Sequence, residues 1–277
     1  MAKYQSNLYS TLHKWAHSQS ENFCTDAFVH LINHLIEDEP ELGLELVRWL
    51  CFKTNDPILL VQESFPPKEH LPAKPHEETE ACSVWAPAFN ANGNRKWGSG
   101  AYIPNCSANP ILLPKFNGWV VGAEVEGWKD SPAKSEKTRF FSLHAPGHMG
   151  SYQKVVNEIL DCLLTFREDA EIVIGGDFNL SVSERHETEE RTTSNADRKI
   201  QTRLRDEFGL INCWQHANPD VPLAQTLRWG SNKLVPYHCD GIFVPIVWAD
   251  SFKSCDVVSG ELWDGLSDHN PVLAEFE

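Results

Sequence analysis

Two short runs in this 277-residue sequence carry residue types and spacings suited to chemistry. The first, Gly175-Gly176-Asp177-Phe178-Asn179, closes the apolar run Glu171-Ile172-Val173-Ile174, which reads as a buried strand. Two glycines at a strand end let the backbone turn sharply and hold a carboxylate and a carboxamide, two residues apart, on one side of a cleft mouth. The second, Ser267-Asp268-His269-Asn270-Pro271-Val272, sets a metal-seeking carboxylate beside an imidazole, the side chain whose ordinary pKa of about 6.5 suits acid–base work. Each run also admits a purely structural reading: an Asx-type turn in the first, a turn-capping Asp with a surface His in the second. Glu63 after Gln62, His144 after Leu143 and Asp240 after Cys239 are further ionisable residues at the edges of apolar runs. One such edge only marks where a strand meets water, whereas five in one chain point to a shared site.

Taken in order and spacing, these residues resemble the endonuclease/exonuclease/phosphatase superfamily. Its DNase I-like fold is shared by exonuclease III-type and apurinic endonucleases, DNase I, inositol polyphosphate phosphatases and bacterial sphingomyelinases. The resemblance covers about residues 57–277. The family's strand-end QE corresponds to Gln62-Glu63, its GxG strand to Gly98-Ser99-Gly100-Ala101, its GDFN to Gly176 through Asn179, and its terminal SDHxPV to Ser267 through Val272. Thr226-Leu227-Arg228-Trp229 and His238 through Val244 are similar to the family's T-x-x-W and IDYIFV segments.

The resemblance implies an α/β fold: a DNase I-like four-layer sandwich with two facing mixed sheets flanked by helices. It also implies roles. Glu63 would bind Mg²⁺ or Mn²⁺, hard cations that prefer oxygen ligands, and Asp268 would help hold the metal or its waters. Asp177 would orient or deprotonate the attacking water, and Asn179 would donate to a phosphate oxygen. His269, kept in one tautomer by Asp240, would stabilise the transition state, with His144 contacting the same phosphate. Two features depart from the pattern. The family's first strand carries a metal-side Asn, whereas here helical sequence from Ser20 to Leu50 stands in its place, leaving Asn22, Asn33 and Asn55 as the available asparagines. The DNase I branch pairs its phosphate-contacting His with a Glu near the GxG strand, and Gly98 through Ile103 contains none. The leading helices resemble instead the opening of some PD-(D/E)XK-type bacterial defence nucleases, without a downstream PD…ExK signature.

The elements that must position these groups are legible from periodicity. Residues 1–53 read as an N-terminal helical segment: Phe23, Ala27, Phe28, Leu31 and Leu35 follow the candidate cap Ser20 at helical spacing. The texture changes between Lys53 and Asp56, and short β-rich runs follow, separated by Gly, Pro and Asn. Residues 66–80 read as a loop. Between the runs ending at His144 and beginning at Glu171, Tyr152 to Phe166 carries one apolar stripe, giving strand, helix, strand. The charged stretch 181–206 turns helical toward its end. Its arginines, interleaved with glutamates, read as a salt-bridged surface. Trp229 reads as core or rim before it reads as a base-stacking residue.

Composition narrows the function. With 41% hydrophobic residues and ten tryptophans the chain can bury a large core, which excludes wholesale disorder. Twenty-four Lys and Arg against 39 Asp and Glu give a net charge of −15, which repels polyanions. A phosphate substrate then calls for a local divalent cation. Eight scattered cysteines without a CxxC pair suggest neither zinc nor a disulfide framework, and no apolar run approaches a membrane span, so a cytoplasmic protein is expected. The expectation is a metal-dependent phosphodiester hydrolase whose partner is nucleic acid, a nuclease cutting DNA or RNA by water attack on phosphorus. A phosphatase or small-phosphodiester hydrolase on a phosphorylated small molecule is the alternative within the fold. A non-catalytic binding domain lacking the first-strand Asn is the alternative outside it.

Overall fold

The computed structural model describes residues 58–66, 83–90, 93–103, 106–128, 131–132, 135–228, 235, 237–260 and 267–277. The expected N-terminal helical segment 1–53, its boundary, Asn22, Asn33, Asn55, most of the expected loop at 66–80 and Trp229 lie outside the described residues.

Six strands form a mixed sheet: β4 (Asn109–Leu112), β5 (Val120–Glu126), β6 (Lys137–His144), β7 (Glu171–Asp177), β8 (Leu210–Asn212) and β9 (Asp240–Pro245), in the order β4-β5-β6-β7-β9-β8. Only β6 and β7 run parallel, joined by the crossover helix α1 (Tyr152–Leu163); the other pairs are antiparallel. A second β-layer comes in two pieces. One is a three-stranded antiparallel sheet of β1 (Leu59–Ser64), β2 (Ser83–Asn90) and β3 (Gly93–Tyr102), in the order β1-β3-β2. The other is the pair β10 (Phe252–Val257) and β11 (Val272–Phe276).

Alternation along the central strands divides the core between the two faces of the six-stranded sheet. Phe141, Leu143, Ile172 and Ile174 face α1, which buries Val155, Val156, Ile159, Leu160 and Leu163, and α2 (Asn195–Asp206), which buries Ile200 and Leu204. Phe140, Val173, Val121 and Ala123 face the other way, toward Val84, Ala86 and Ala101 of the second layer. Trp214 of the short helix α3 (Cys213–Ala217) closes that core. Both long helices start where the sequence supplies a cap: Ser151 accepts from the Lys154 N–H and Ser194 from the Asp197 N–H. The charged stretch behaves as its pattern predicts, with Arg198 paired to Glu184, Arg203 to Glu207 and Asp161, and Arg185 to Glu189.

The two β-layers are stitched together next to the Gly175-Gly176 pair. The Ser142 hydroxyl donates to the Val61 carbonyl at 2.7 Å, and the Gln62 amide donates to Ser142 Oγ at 2.8 Å. Gly176 sits at φ +141°, where a Cβ would lie 2.0 Å from the Leu143 carbonyl oxygen and 2.9 Å from Gln62 Nε2. Gly176→Ala is therefore expected to lose about 3 kcal/mol or more and about 6–12 °C in Tm, because backbone rather than a flexible side chain blocks the new methyl. At Gly175 the blocking atom is the mobile Leu60 Cδ1 at 2.8 Å, so Gly175→Ala should cost visibly less in the same melts. No helix among the described residues is long and apolar enough to cross a membrane.

Candidate active site

The sheet register assembles most of the site. Asp177, the last residue of β7, is paired with His144 at the end of β6 on one side and Asp240 at the start of β9 on the other. Three residues separated by 33 and 63 positions in the chain thus share one row at one edge of the sheet. The His144 Nε2 lies 3.7 Å from Asp177 Oδ2, and its Nδ1 lies 3.9 Å from Glu63 Oε1, which reaches the row from β1. Asn179 completes a tight turn after β7: its backbone N–H donates to Asp177 Oδ1 and its amide to Asp177 Oδ2, each at 2.8 Å, and the amide also donates to the Ala145 carbonyl. Both its amide hydrogens hold neighbouring groups, so Asn179 orients Asp177 here instead of pointing donors outward.

Glu63 and Asn179 are the only non-glycine residues with left-handed backbone among the described residues, at φ +51° and +54°. Asn tolerates that region, whereas Glu does so only when the surroundings hold it there. At Glu63 the holding device is a bulge between Val61 and Ser64 in the β1–β3 pairing, which turns the carboxylate out of the strand toward the row.

His269 reaches the site from the loop before β11. Its Nδ1–H donates to Asp240, lying 3.0 Å from each carboxylate oxygen, which fixes the ring's orientation. Asp268 beside it is exposed. Sequence reasoning missed what anchors this loop. The buried Thr226 hydroxyl accepts the N–H groups of Cys239 and Asp240, and its carbonyl accepts the Asn270 N–H at 2.7 Å. Arg228 donates its backbone N–H to the Asp268 carbonyl and its guanidinium to the Ser267 carbonyl and Asn270 Oδ1. The T-x-x-W resemblance covered these positions, but nothing in the residue types marks Thr226 and Arg228 as braces.

The electrostatics follow from crowding acids in a buried place. Burial first, and the Asp240 charge second, push Asp177 up to about 7, against a smaller lowering by His269. His269 is opposed by burial, but the charge and hydrogen bond of Asp240, helped by Asp177 and Asp268, carry it up to about 10. Burial and the nearby His269 charge lower His144 to about 4, so it is neutral, and its Nδ1 is buried without a hydrogen-bond partner. Burial raises Glu63, and Asp268 adds to the rise.

These donors suit a hard divalent cation. Glu63 and Asp268 are oxygen ligands close enough to repel, and neither is ion-paired to a Lys or Arg among the described residues. Cys239, Asp240 and His269 also bring ligand atoms within 4.8 Å of one another. That trio does not fit a metal: both Asp240 oxygens face the His269 N–H, and burial holds the Cys239 thiol far above its usual pKa, hence protonated.

No protein-family model matches the sequence, and no curated protein matches it. Solved structures do. The 3′ phosphatase NExo from Neisseria, in a structure bound to product DNA hairpin, superimposes with a TM-score of 0.60 at 17% identity, covering 88% of this chain and 95% of the other. The fold is DNase I-like. An AP endonuclease from Archaeoglobus fulgidus gives a TM-score of 0.58 at 13% identity over 87% of this chain and 95% of its own. The AP endonuclease of Leishmania major gives 0.56 at 13% identity over 88% and 84%. The DNase I-like sandwich explains why the row lies where it does, at the strand ends between the two β-layers.

Proposed function

We propose that this protein is a metal-dependent phosphodiester hydrolase, a nuclease that cleaves DNA or RNA by attack of water on phosphorus. The observation that carries the reading is the in-register row His144, Asp177 and Asp240, capped by His269 braced on Asp240. The structures it resembles support it: a 3′ phosphatase bound to product DNA and two AP endonucleases.

Glu63 and Asp268 would hold Mg²⁺ or Mn²⁺, which when bound polarises the phosphate and shields charge on the leaving oxygen. Asp177 takes a proton from the attacking water; a carboxylate pushed up to about 7 is matched to that task near neutral pH. The two Asn179 donors keep its oxygens aimed. His269, charged through neutral pH, offers its Nε2–H to the oxygen where negative charge grows. The neutral His144 would contact the same phosphate from the neighbouring strand end. We infer a cytoplasmic setting, supported by the free thiols of Cys162, Cys213, Cys239 and Cys255.

The test is hydrolysis of plasmid, single-stranded DNA, RNA and a phosphomonoester, each with Mg²⁺ and with chelator. Nucleic-acid cleavage that vanishes with chelator is expected, and Glu63→Gln should raise the Mg²⁺ concentration needed by about 10–100-fold. Likeness to a 3′ phosphatase favours one second reading, removal of a terminal phosphate, which the phosphomonoester arm separates. Absence of both hydrolysis and Glu63-dependent Mg²⁺ binding by calorimetry would leave the non-catalytic alternative.

A further inference from the structure

Arg95 lies on β3 beside the site and takes no part in the chemistry above. Strand alternation puts Arg95, Trp97 and Ser99 on one face of β3, and the Ser99 hydroxyl donates to the Trp119 carbonyl at the start of β5. The guanidinium carbon sits 4.6 Å from the centre of the Trp97 ring and 5.8 Å from that of Trp119. Trp97 in turn stacks on the His144 ring at 6.2 Å and 24°. The chain Arg95, Trp97, His144 therefore runs straight into the catalytic row.

Two indoles hold this cation, and among the described residues no carboxylate is ion-paired with it. Arg139, Arg198, Arg203 and Arg205 each donate to a carboxylate. Among the described residues Arg95 makes no hydrogen bond and no ion pair, and its Nε is buried without a partner. Its charge nevertheless reaches Glu63 and His144. A guanidinium pre-oriented by aromatic faces, with its donors unspent, matches the paired oxygens of a phosphate. In a chain of net charge −15, such a fork next to a phosphate-cleaving row has few other reasons to stay unpaired. Trp97 has Arg95 and His144 against its ring and Trp119 is buried, which leaves little indole face for a stacked base.

We propose that Arg95 grips the phosphate next to the scissile one, so that the substrate is a strand with at least two phosphates, read at this point by its backbone and not by its bases. This rests on the hydrolase reading above.

The experiment measures binding of a fluorescent single-stranded oligonucleotide with Mg²⁺, in the Asp177→Asn background that leaves the strand uncut, with and without Arg95→Gln. Arg95→Gln is expected to weaken binding about 5–10-fold and to reduce the slope of log affinity against log salt by about 0.7, the loss of one phosphate contact. Neutral methylphosphonate is then placed at each phosphate in turn. The position beside the scissile phosphate should weaken binding only when Arg95 is present. Should Arg95→Gln fold poorly, Arg95→Met, which keeps the apolar stem and loses the charge, carries the same scan. Unchanged affinity, or a scan with the same profile in both backgrounds, overturns the proposal, because a merely structural Arg95 weakens every position alike. If the parent hydrolyses bis(4-nitrophenyl) phosphate with Mg²⁺ but neither binds nor cuts the oligonucleotide, this inference falls and the hydrolytic reading stands. If it hydrolyses neither, both fall.

Discussion

Replacing Asp177 by Asn is expected to lower hydrolysis by about 10²–10⁴-fold, the usual share of a positioned general base, while making the metal-free protein more stable above neutral pH. Asp177 is only 6% exposed and faces Asp240 across one register step. Its folded pKa, pushed up to about 7 from 3.8, means that the folded state holds the proton more tightly than the unfolded chain does. The ionised carboxylate therefore costs stability: nothing below about pH 4, increasingly as the pH rises, and fully above about pH 7. Asparagine removes the charge but faces the Asn179 amide with a donor, so the gain is partial, about 1–2 kcal/mol or about 3–6 °C in Tm at pH 8. Calorimetry in chelator at pH 4 and pH 8, beside Mg²⁺-dependent nuclease assays, checks both halves. A variant that stays active, or that melts lower than its parent at pH 8, sinks the role given to Asp177.

Asp240→Asn separates a structural pair from a catalytic one. With Asp240 ionised the His269 imidazole is carried to about 10; with a neutral amide in its place it should fall toward its ordinary value of 6.5. Activity is then expected to fall about 10²–10³-fold at pH 8, where the variant's imidazole has lost its proton, and to recover in part near pH 6. The parent should show no such loss between these values. Proton NMR of the His269 ring gives the pKa directly. Because the folded pKa lies above the unfolded one, the pair's contribution to stability is complete below about pH 6.5 and is lost as the pH rises through about 10. Urea unfolding of parent and variant should accordingly differ most near pH 6 and converge toward pH 10. A ring that still titrates near 10 in the variant, or identical pH profiles, would assign the shift to something other than Asp240.

The two variants bear on different parts of one arrangement. Asp177 carries a charge that the fold holds at a cost, and His269 carries one that the fold stabilises. Destabilised acids beside a stabilised cation fit the proposed metal-dependent hydrolysis, since a structural salt bridge needs no surplus carboxylates. The left-handed backbone at Glu63 and Asn179 fits the same picture: the only two such non-glycine residues among those described flank the row.

Much of this arrangement is legible in the sequence. Short β-rich runs separated by Gly, Pro and Asn marked the strands around Glu63, His144, Asp177, Asp240 and His269, and the apolar stripe at Val155, Ile159 and Leu163 marked the crossover helix, because a buried helix face imposes its period on residue type. The acids and imidazoles of the site stood out for the same reason, as ionisable groups where an apolar run ends. Arg95, Thr226 and Arg228 did not stand out. A surface arginine and a braced one have the same local sequence, and Thr226 binds N–H groups 13 and 14 residues away.

The order of residues along the chain thus determined which side chains are available and on which strand ends they sit. Only the tertiary structure decided that β6, β7 and β9 pair in the register that lines up His144, Asp177 and Asp240, that a bulge turns Glu63 toward them, and that Arg95 meets two indoles and no ion-pairing carboxylate among the described residues. Those outcomes depend on contacts between segments remote in sequence, where hydrogen-bond register and packing, not local preference, set the geometry.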